Sequence, residues 1–150
     1  MKNKDRNKPL DKPDFQDLET LADMITSPPY HQLMGYKLGR ADPRQGSLEI
    51  RQAFSSDLRR MQGSDQIHGG VIAALIDVAA TFAMISYLNK GVPTVDLRVD
   101  YLRPAAGSEL VASASVRKAG RTVGTVDVEV HDEAGRMIAL GRALFATGQS

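Results

Sequence analysis

The sequence has no cysteine and only three histidines among its 150 residues. The absence of cysteine excludes disulfide bonds, thiolate zinc sites and cysteine nucleophiles. The three histidines, His31, His68 and His131, are too few to favour a multi-histidine site, so we predict no bound metal. Any chemistry should therefore come from carboxylates, hydroxyls, imidazoles or backbone amides.

The sequence also lacks an excess of charge of either sign. Nineteen basic residues stand against eighteen acidic ones, which leaves a formal net charge of +1. This balance argues against nucleic acid or an anionic membrane as the main partner. With 42% apolar and 25% charged residues, the chain has the composition of a soluble globular protein, and its length predicts one domain.

The beginning of the chain is almost free of apolar residues. Its first twelve residues, MKNKDRNKPLDK, carry five basic and two acidic side chains. This composition predicts a disordered basic tail over residues 1–13, followed by a single domain over 14–150. Because no apolar segment follows the basic residues, we predict no secretion signal and a cytoplasmic location.

Only one long hydrophobic run is present, the twenty residues Gly69 to Leu88. Its length would just cross a bilayer. However, Asp77 lies near its middle, where a carboxylate costs about 2.5–3.5 kcal/mol on insertion scales. We therefore predict a buried helix and no membrane association.

The remaining apolar residues predict short helices and strands. Helical spacing predicts a helix over Asp14 to Ile25, and Tyr30 to Met34 is read as one further helical turn. Alternation with period two predicts a strand from Tyr36, a second through Leu48, Ile50 and Phe54, and four more after the long helix. The last strand, Met137 to Ala146, is apolar on both faces and should lie inside the sheet. The fold class is thus α+β, with one long central helix wrapped by a curved antiparallel sheet of five to six strands.

The long helix has two unlike faces on a helical wheel. A bulky stripe is predicted to face the sheet; it consists of Val71, Leu75, Val78, Phe82 and Ile85. Asp77 lies nearly opposite, within a stripe of small residues: Gly70, Ala73, Ala74, Ala80 and Thr81. This setting favours a functional role for Asp77. The alternative is an exposed aspartate on a solvated face, but that face lacks the lysine, glutamate and arginine that a solvated helix carries.

His68, Gly69 and Gly70 stand at the predicted start of this helix. The first amides of a helix have no partner within it, so they can hold a developing oxyanion. A tight turn is an equally good reason for the two glycines, and a capping role is the simpler one for His68.

Helix geometry constrains how these groups act together. Gly69 and Asp77 are eight residues apart, which is about 12 Å along a helix. A carbonyl held by an amide and attacked by carboxylate-activated water needs the two groups only about 6–7 Å apart. If both groups act on one substrate, two antiparallel copies of the helix must therefore supply them.

Three segments carry a resemblance to a known family: HGGVIAALIDVAATFA, TVDLRVDYLRPA and AGRTVGTVDVEVHDEAGRMIALGRALF. They resemble the hot-dog-fold acyl-CoA thioesterases, within them the phenylacetic-acid-degradation (PaaI-type) branch, and the similarity runs from about Ser27 to Phe145. The resemblance implies a homodimer with a continuous sheet, often paired again into a tetramer. It also implies hydrolysis of an acyl-CoA thioester without metal or cofactor.

The resemblance assigns roles to particular residues. Asp77 would be the general base or the nucleophile, the partner's Gly69 amide would polarise the carbonyl, and His68 would orient the site. Thr94 matches a position where a hydroxyl helps to place water. The family usually has asparagine and glycine at the positions of Gln62 and Asp65, so the resemblance implies weaker turnover or a different substrate.

Coenzyme A carries phosphates, so basic groups are expected near the pocket. The candidates for substrate binding are Gly70, Arg103, Arg117, Lys118 and Arg121; an exposed surface cation is the simpler reading of each basic residue. A non-catalytic acyl-CoA-binding protein is the alternative function. A hydratase fits less well, because no carboxylate–histidine pair has comparable spacing.

Overall fold

The computed structural model describes residues 12–148, so residues 1–11 of the predicted tail lie outside it. The helices are α1 (Leu18–Thr26), α2 (Pro29–Met34) and α3 (Gly69–Leu88). The strands are β1 (Tyr36–Asp42), β2 (Ser47–Ala53), β3 (Thr94–Tyr101), β4 (Glu109–Ala119), β5 (Val123–Asp132) and β6 (Met137–Ala146). They form one antiparallel sheet in the order β1-β2-β4-β5-β6-β3.

This sheet wraps around α3, as the sequence predicts. Register shifts interrupt the pairing within β1, β3, β4 and β5, and such irregularities let an antiparallel sheet bend. β6 lies between β5 and β3, which confirms the inner position predicted from its apolar character. The connection from β3 to β4 crosses the sheet, because β3 pairs with β6 and forms an edge of the sheet.

Two predicted boundaries in the N-terminal half are wrong. α1 begins at Leu18 and not at Asp14, because Asp17 caps it: its Oδ2 accepts a hydrogen bond from the Thr20 amide at 2.8 Å. β2 ends at Ala53, so Phe54 lies beyond the strand, and Gln52 takes the third inward position after Leu48 and Ile50. The helical turn α2 is confirmed.

The face of α3 that packs on the sheet differs from the prediction. Leu75 and Phe82 are buried as expected, but Val71, Val78 and Ile85 are only partly buried. The centre of the buried face is formed instead by Ile72, Ile76, Ala79 and Ala83. Both faces are apolar, and the choice between them depends on the shape of the sheet.

One feature of the sheet surface that faces α3 is Gly141 of β6, which has no side chain. It lies between Val128 of β5 and Val99 of β3 in the sheet register, on the side that faces α3. A Cβ on Gly141 would overlap Cγ2 of Ile76. The missing side chain therefore lets Ile76 pack directly against the strand backbone, which favours this rotation of α3.

Among the described residues, α3 is the one helix long and apolar enough to cross a membrane. Half of its most apolar 18-residue window is buried inside the fold. It is thus the core helix of this domain, and its remaining half faces outward.

Gly141→Ala should destabilise the fold by about 1–3 kcal/mol, because the added methyl group overpacks the contact with Ile76. Urea denaturation at fixed protein concentration measures the change. Gly91→Ala is the matched control, since a Cβ there would meet nothing within 4 Å. Equal midpoints for the two variants would contradict this account of the close contact.

Candidate active site

α3 begins where the side chain of His68 caps it. The His68 backbone is extended, and its Nδ1 accepts a hydrogen bond from the Gly70 amide at 2.9 Å. Because an amide only donates, the neutral ring must hold its proton on Nε2, which is left as a donor. The predicted capping role of His68 is confirmed, and its part in catalysis stays a prediction.

The amide of Gly69 differs from its neighbours in the first turn. Gly70 donates to His68 Nδ1 and Val71 donates to the His68 carbonyl at 3.0 Å. Within residues 12–148, the Gly69 N–H donates no hydrogen bond. Of the two predicted glycines, Gly69 is therefore the one whose amide is free for a ligand.

Tyr101 holds this turn from the other side, a contact that sequence reasoning missed. Its hydroxyl donates to the Gly69 carbonyl at 2.8 Å, and its ring would lie within 3.4–3.7 Å of a Cβ on Gly69. The tyrosine belongs to the recognised segment TVDLRVDYLRPA, which was the available signal.

Asp77 lies halfway along α3 and is partly exposed. The hydroxyl of Thr94 at the start of β3 donates to its Oδ1 at 2.9 Å, and Thr81 Oγ1 lies 3.5 Å from Thr94 Oγ1. No cationic group among the described residues lies within 4 Å of the carboxylate. The structure thus joins two predicted site residues, Asp77 and Thr94, and within residues 12–148 the second carboxylate oxygen, Oδ2, accepts no hydrogen bond.

An aromatic cluster that no sequence pattern indicated packs against the C-terminal half of α3, at Phe82. The ring centroid of His31 is 5.4 Å from that of Tyr36 and 5.8 Å from that of Phe82. The Tyr36 hydroxyl is buried and has no hydrogen-bond partner among the described residues. Burial, followed by the nearby Tyr30 hydroxyl and the charge of Asp77, raises the pKa of Tyr36 far above its usual range, so the phenol stays neutral.

A pocket of about 300 Å³ opens beside the start of α3. The residues that line it include Gly69, Ile72, Tyr101, Arg60 and Arg103. The guanidinium of Arg103 donates to the Met137 carbonyl at 2.6 Å. Arg103 therefore lies on the wall of this pocket, and its role in substrate binding stays a prediction.

Other predicted catalytic and binding residues lie elsewhere in the single chain. Gln62 is exposed on the loop before α3, and Lys118 is exposed on β4. Arg121 lines a separate pocket with Leu88, at the opposite end of α3 from Gly69. Their roles stay predictions.

Arg117 points to the outer face of the sheet, where it is already paired. Its Nε lies 3.0 Å from Asp127, and Arg142 approaches the same carboxylate to 2.6 Å. These two guanidinium groups, Arg142 foremost, hold the pKa of Asp127 below its usual value. Among the described residues, no group of three histidine or carboxylate side chains is arranged to hold a metal ion.

The sequence matches a known protein family and several known proteins. The model of the thioesterase superfamily matches residues 66–139. The medium/long-chain acyl-CoA thioesterase YigI of Escherichia coli is 32% identical over 137 residues, which cover 80% of this chain and 86% of YigI. The acyl-coenzyme A thioesterase PaaI of Escherichia coli is 34% identical over 83 residues, which cover 55% of this chain and 59% of PaaI.

A solved structure from Shewanella oneidensis, described as related to the thioesterase superfamily, superposes with a TM-score of 0.75. It is 29% identical, and the match covers 87% of this chain and 95% of that one. The chain therefore belongs to the thioesterase superfamily and has its hot-dog fold, as the resemblance implies. Its class of activity is hydrolysis of a thioester, and the match to PaaI supports the predicted branch.

His68→Ala should lower the free energy of unfolding by about 1 kcal/mol, because the helix loses its N-cap acceptor. His68→Asn should keep most of the stability, since asparagine is a good N-cap residue. Chemical denaturation of the three proteins measures both values. A fully stable alanine variant would show that the ring does not cap α3.

Proposed function

We propose that the protein hydrolyses acyl-CoA thioesters to the free acid and coenzyme A. Two relatives of this chain, YigI and PaaI, carry the name acyl-CoA thioesterase. The observation that carries the proposal is the pair of groups on α3: a free amide at Gly69 and a carboxylate at Asp77 held by Thr94. These are the two kinds of group that thioester hydrolysis needs without a metal or cofactor.

A second copy of the chain would complete the site. β3 forms an edge of the sheet, and Val95 and Tyr101 on it are 59% and 53% exposed. Its two ends contact the outward face of α3, through Thr94 to Asp77 and through Tyr101 to Gly69. The unpaired edge and the weakly charged helix face thus form one continuous surface, which suits pairing with an identical surface.

Antiparallel pairing of two α3 helices supports a shared site. Gly69 and Asp77 are about 12 Å apart on one helix, too far to hold one carbonyl and its attacking water. If α3 crosses its copy near Ala73 and Ala74, each Asp77 comes opposite the partner subunit's Gly69. Both alanines are partly exposed, so two backbones can approach closely there. We propose a homodimer with two such sites, paired again into a tetramer.

The reaction follows from these groups. Asp77 takes a proton from water, the water oxygen attacks the thioester carbonyl, and the amide of the partner subunit's Gly69 stabilises the resulting oxyanion. The tetrahedral intermediate then collapses with cleavage of the C–S bond, and the proton passes to the sulfur of coenzyme A. In the alternative route, Asp77 attacks the carbonyl itself and water hydrolyses the resulting anhydride. Both routes depend on the Asp77 carboxylate.

The remaining predicted residues would support these two groups. His68 fixes the first turn of α3 and offers its Nε2 proton to the site, and Thr94 orients Asp77 or the water. Gln62 would reach the site from its loop with a longer side chain than the usual asparagine. Arg103 lies in the pocket beside Gly69, where it would meet the coenzyme.

Asp77→Asn should lower kcat by about 10²–10⁴-fold, because the amide can neither accept the proton nor attack. Release of free thiol from a panel of aryl-, short- and long-chain acyl-CoA esters measures the rate. Asp23→Asn is the matched control, since Asp23 is exposed on α1 and this substitution should leave the rate unchanged.

Two outcomes would count against the proposal. An Asp77→Asn variant as active as the wild type would remove Asp77 from the mechanism. A wild type that binds acyl-CoA esters by calorimetry but hydrolyses none of them would favour the alternative function, a non-catalytic acyl-CoA-binding protein.

A further inference from the structure

Two arginines without a carboxylate partner face the same pocket. Arg60 and Arg103 both line the pocket beside Gly69. Six other arginines of the described chain form ion pairs, whereas no carboxylate among residues 12–148 lies within 4 Å of either of these two. The positive charge on this wall of the pocket is therefore not neutralised within the described fold.

Both guanidinium groups are held in place by neutral acceptors. Arg60 donates through Nη1 to Gln66 Oε1 at 2.9 Å, and its amide donates to the Gln66 carbonyl at 2.9 Å. Arg103 donates through Nη1 to the Met137 carbonyl at 2.6 Å. Since a guanidinium has five N–H donors, each group keeps several for a ligand.

The loop that carries Arg60 is tied to the site. Arg59 and Ile67 form an antiparallel bridge, and the His68 amide donates to the Leu58 carbonyl at 2.8 Å. The segment between them therefore leads directly into the first turn of α3. Two nearby carboxylates leave Arg60 and Arg103 unpaired. Asp65 of this segment is exposed, and Asp100 on β3 is paired with Arg98 at 3.3 Å.

We propose that Arg60 acts with Arg103 to bind the phosphate groups of the coenzyme A part of the substrate. This inference rests on the proposed function. Guanidinium groups suit phosphate oxygens because they donate two parallel hydrogen bonds. The thioester is held at Gly69 and the phosphates are held by the two arginines on the wall of the same pocket. Arg60 is thus a specificity residue that favours a coenzyme A ester over a thioester without phosphates.

The test compares two thioesters of one acyl group, the coenzyme A ester and the N-acetylcysteamine ester, which has no phosphate. Arg60→Gln should raise KM for the coenzyme A ester about tenfold, as expected for loss of a charged hydrogen-bond donor, with kcat nearly unchanged. Its kcat/KM for the N-acetylcysteamine ester should stay at the wild-type value. Arg60→Lys should recover part of the affinity.

Arg59→Gln is the matched control, because Arg59 is the exposed neighbour that does not line the pocket. If Arg60→Gln weakens both thioesters equally, or raises KM no more than Arg59→Gln does, the phosphate role is overturned. A carboxylate-bearing acyl group as the ligand of Arg60 would show as a loss with both esters of such an acid.

A direct binding measurement separates this inference from the proposed function. Calorimetry with coenzyme A alone should give a Kd that rises about tenfold in Arg60→Gln. If the wild type hydrolyses no thioester but loses coenzyme A affinity in this variant, the proposed function fails and the phosphate role stands. If the wild type binds no coenzyme A, the phosphate role fails.

Discussion

An α-helix rises about 1.5 Å per residue, and this fixed rise sets the distance between Gly69 and Asp77, the two groups at the centre of the proposed site. Gly69 and Asp77 are eight residues apart on one unbroken helix, so no local rearrangement can bring them to one carbonyl. If both groups are catalytic, this rigid helix holds half of one site at its start and half of another at its middle. The symmetry of a dimer follows from that spacing if both groups are catalytic.

The sheet holds α3 in the orientation that this arrangement needs. Ile76 packs where Gly141 has no side chain, and this contact turns the opposite side of the helix, with Asp77, away from the core. β3 then reaches that outward face at both of its ends, through the hydroxyl groups of Thr94 and Tyr101. The same packing therefore buries one face of α3 and leaves the candidate site on the other.

Much of the secondary structure could be predicted from the sequence, because it depends on residues that are close together in the chain. The bounds of α3 follow from its apolar run, the capping by His68 from its position before that run, and the strands from the alternation of apolar and polar residues. The rotation of α3 could not be predicted, since Val71 and Ile72 are both apolar and the close contact that favours one face involves Gly141, which is distant in the sequence. The order of the strands and the contact of Tyr101 with Gly69 depend likewise on residues distant in the sequence.

Mixing two inactive variants tests the shared site most directly. Gly69→Pro removes the amide proton at the first helical position, where proline is well tolerated, and Gly69→Ala keeps it as a control. Each dimer of Gly69→Pro with Asp77→Asn would hold one intact site and one doubly defective site. Random reassociation of equal amounts should therefore recover about a quarter of the wild-type activity, since half of the dimers are mixed and each has one working site. No recovery, with mixed dimers shown to form, would contradict a site shared between two subunits.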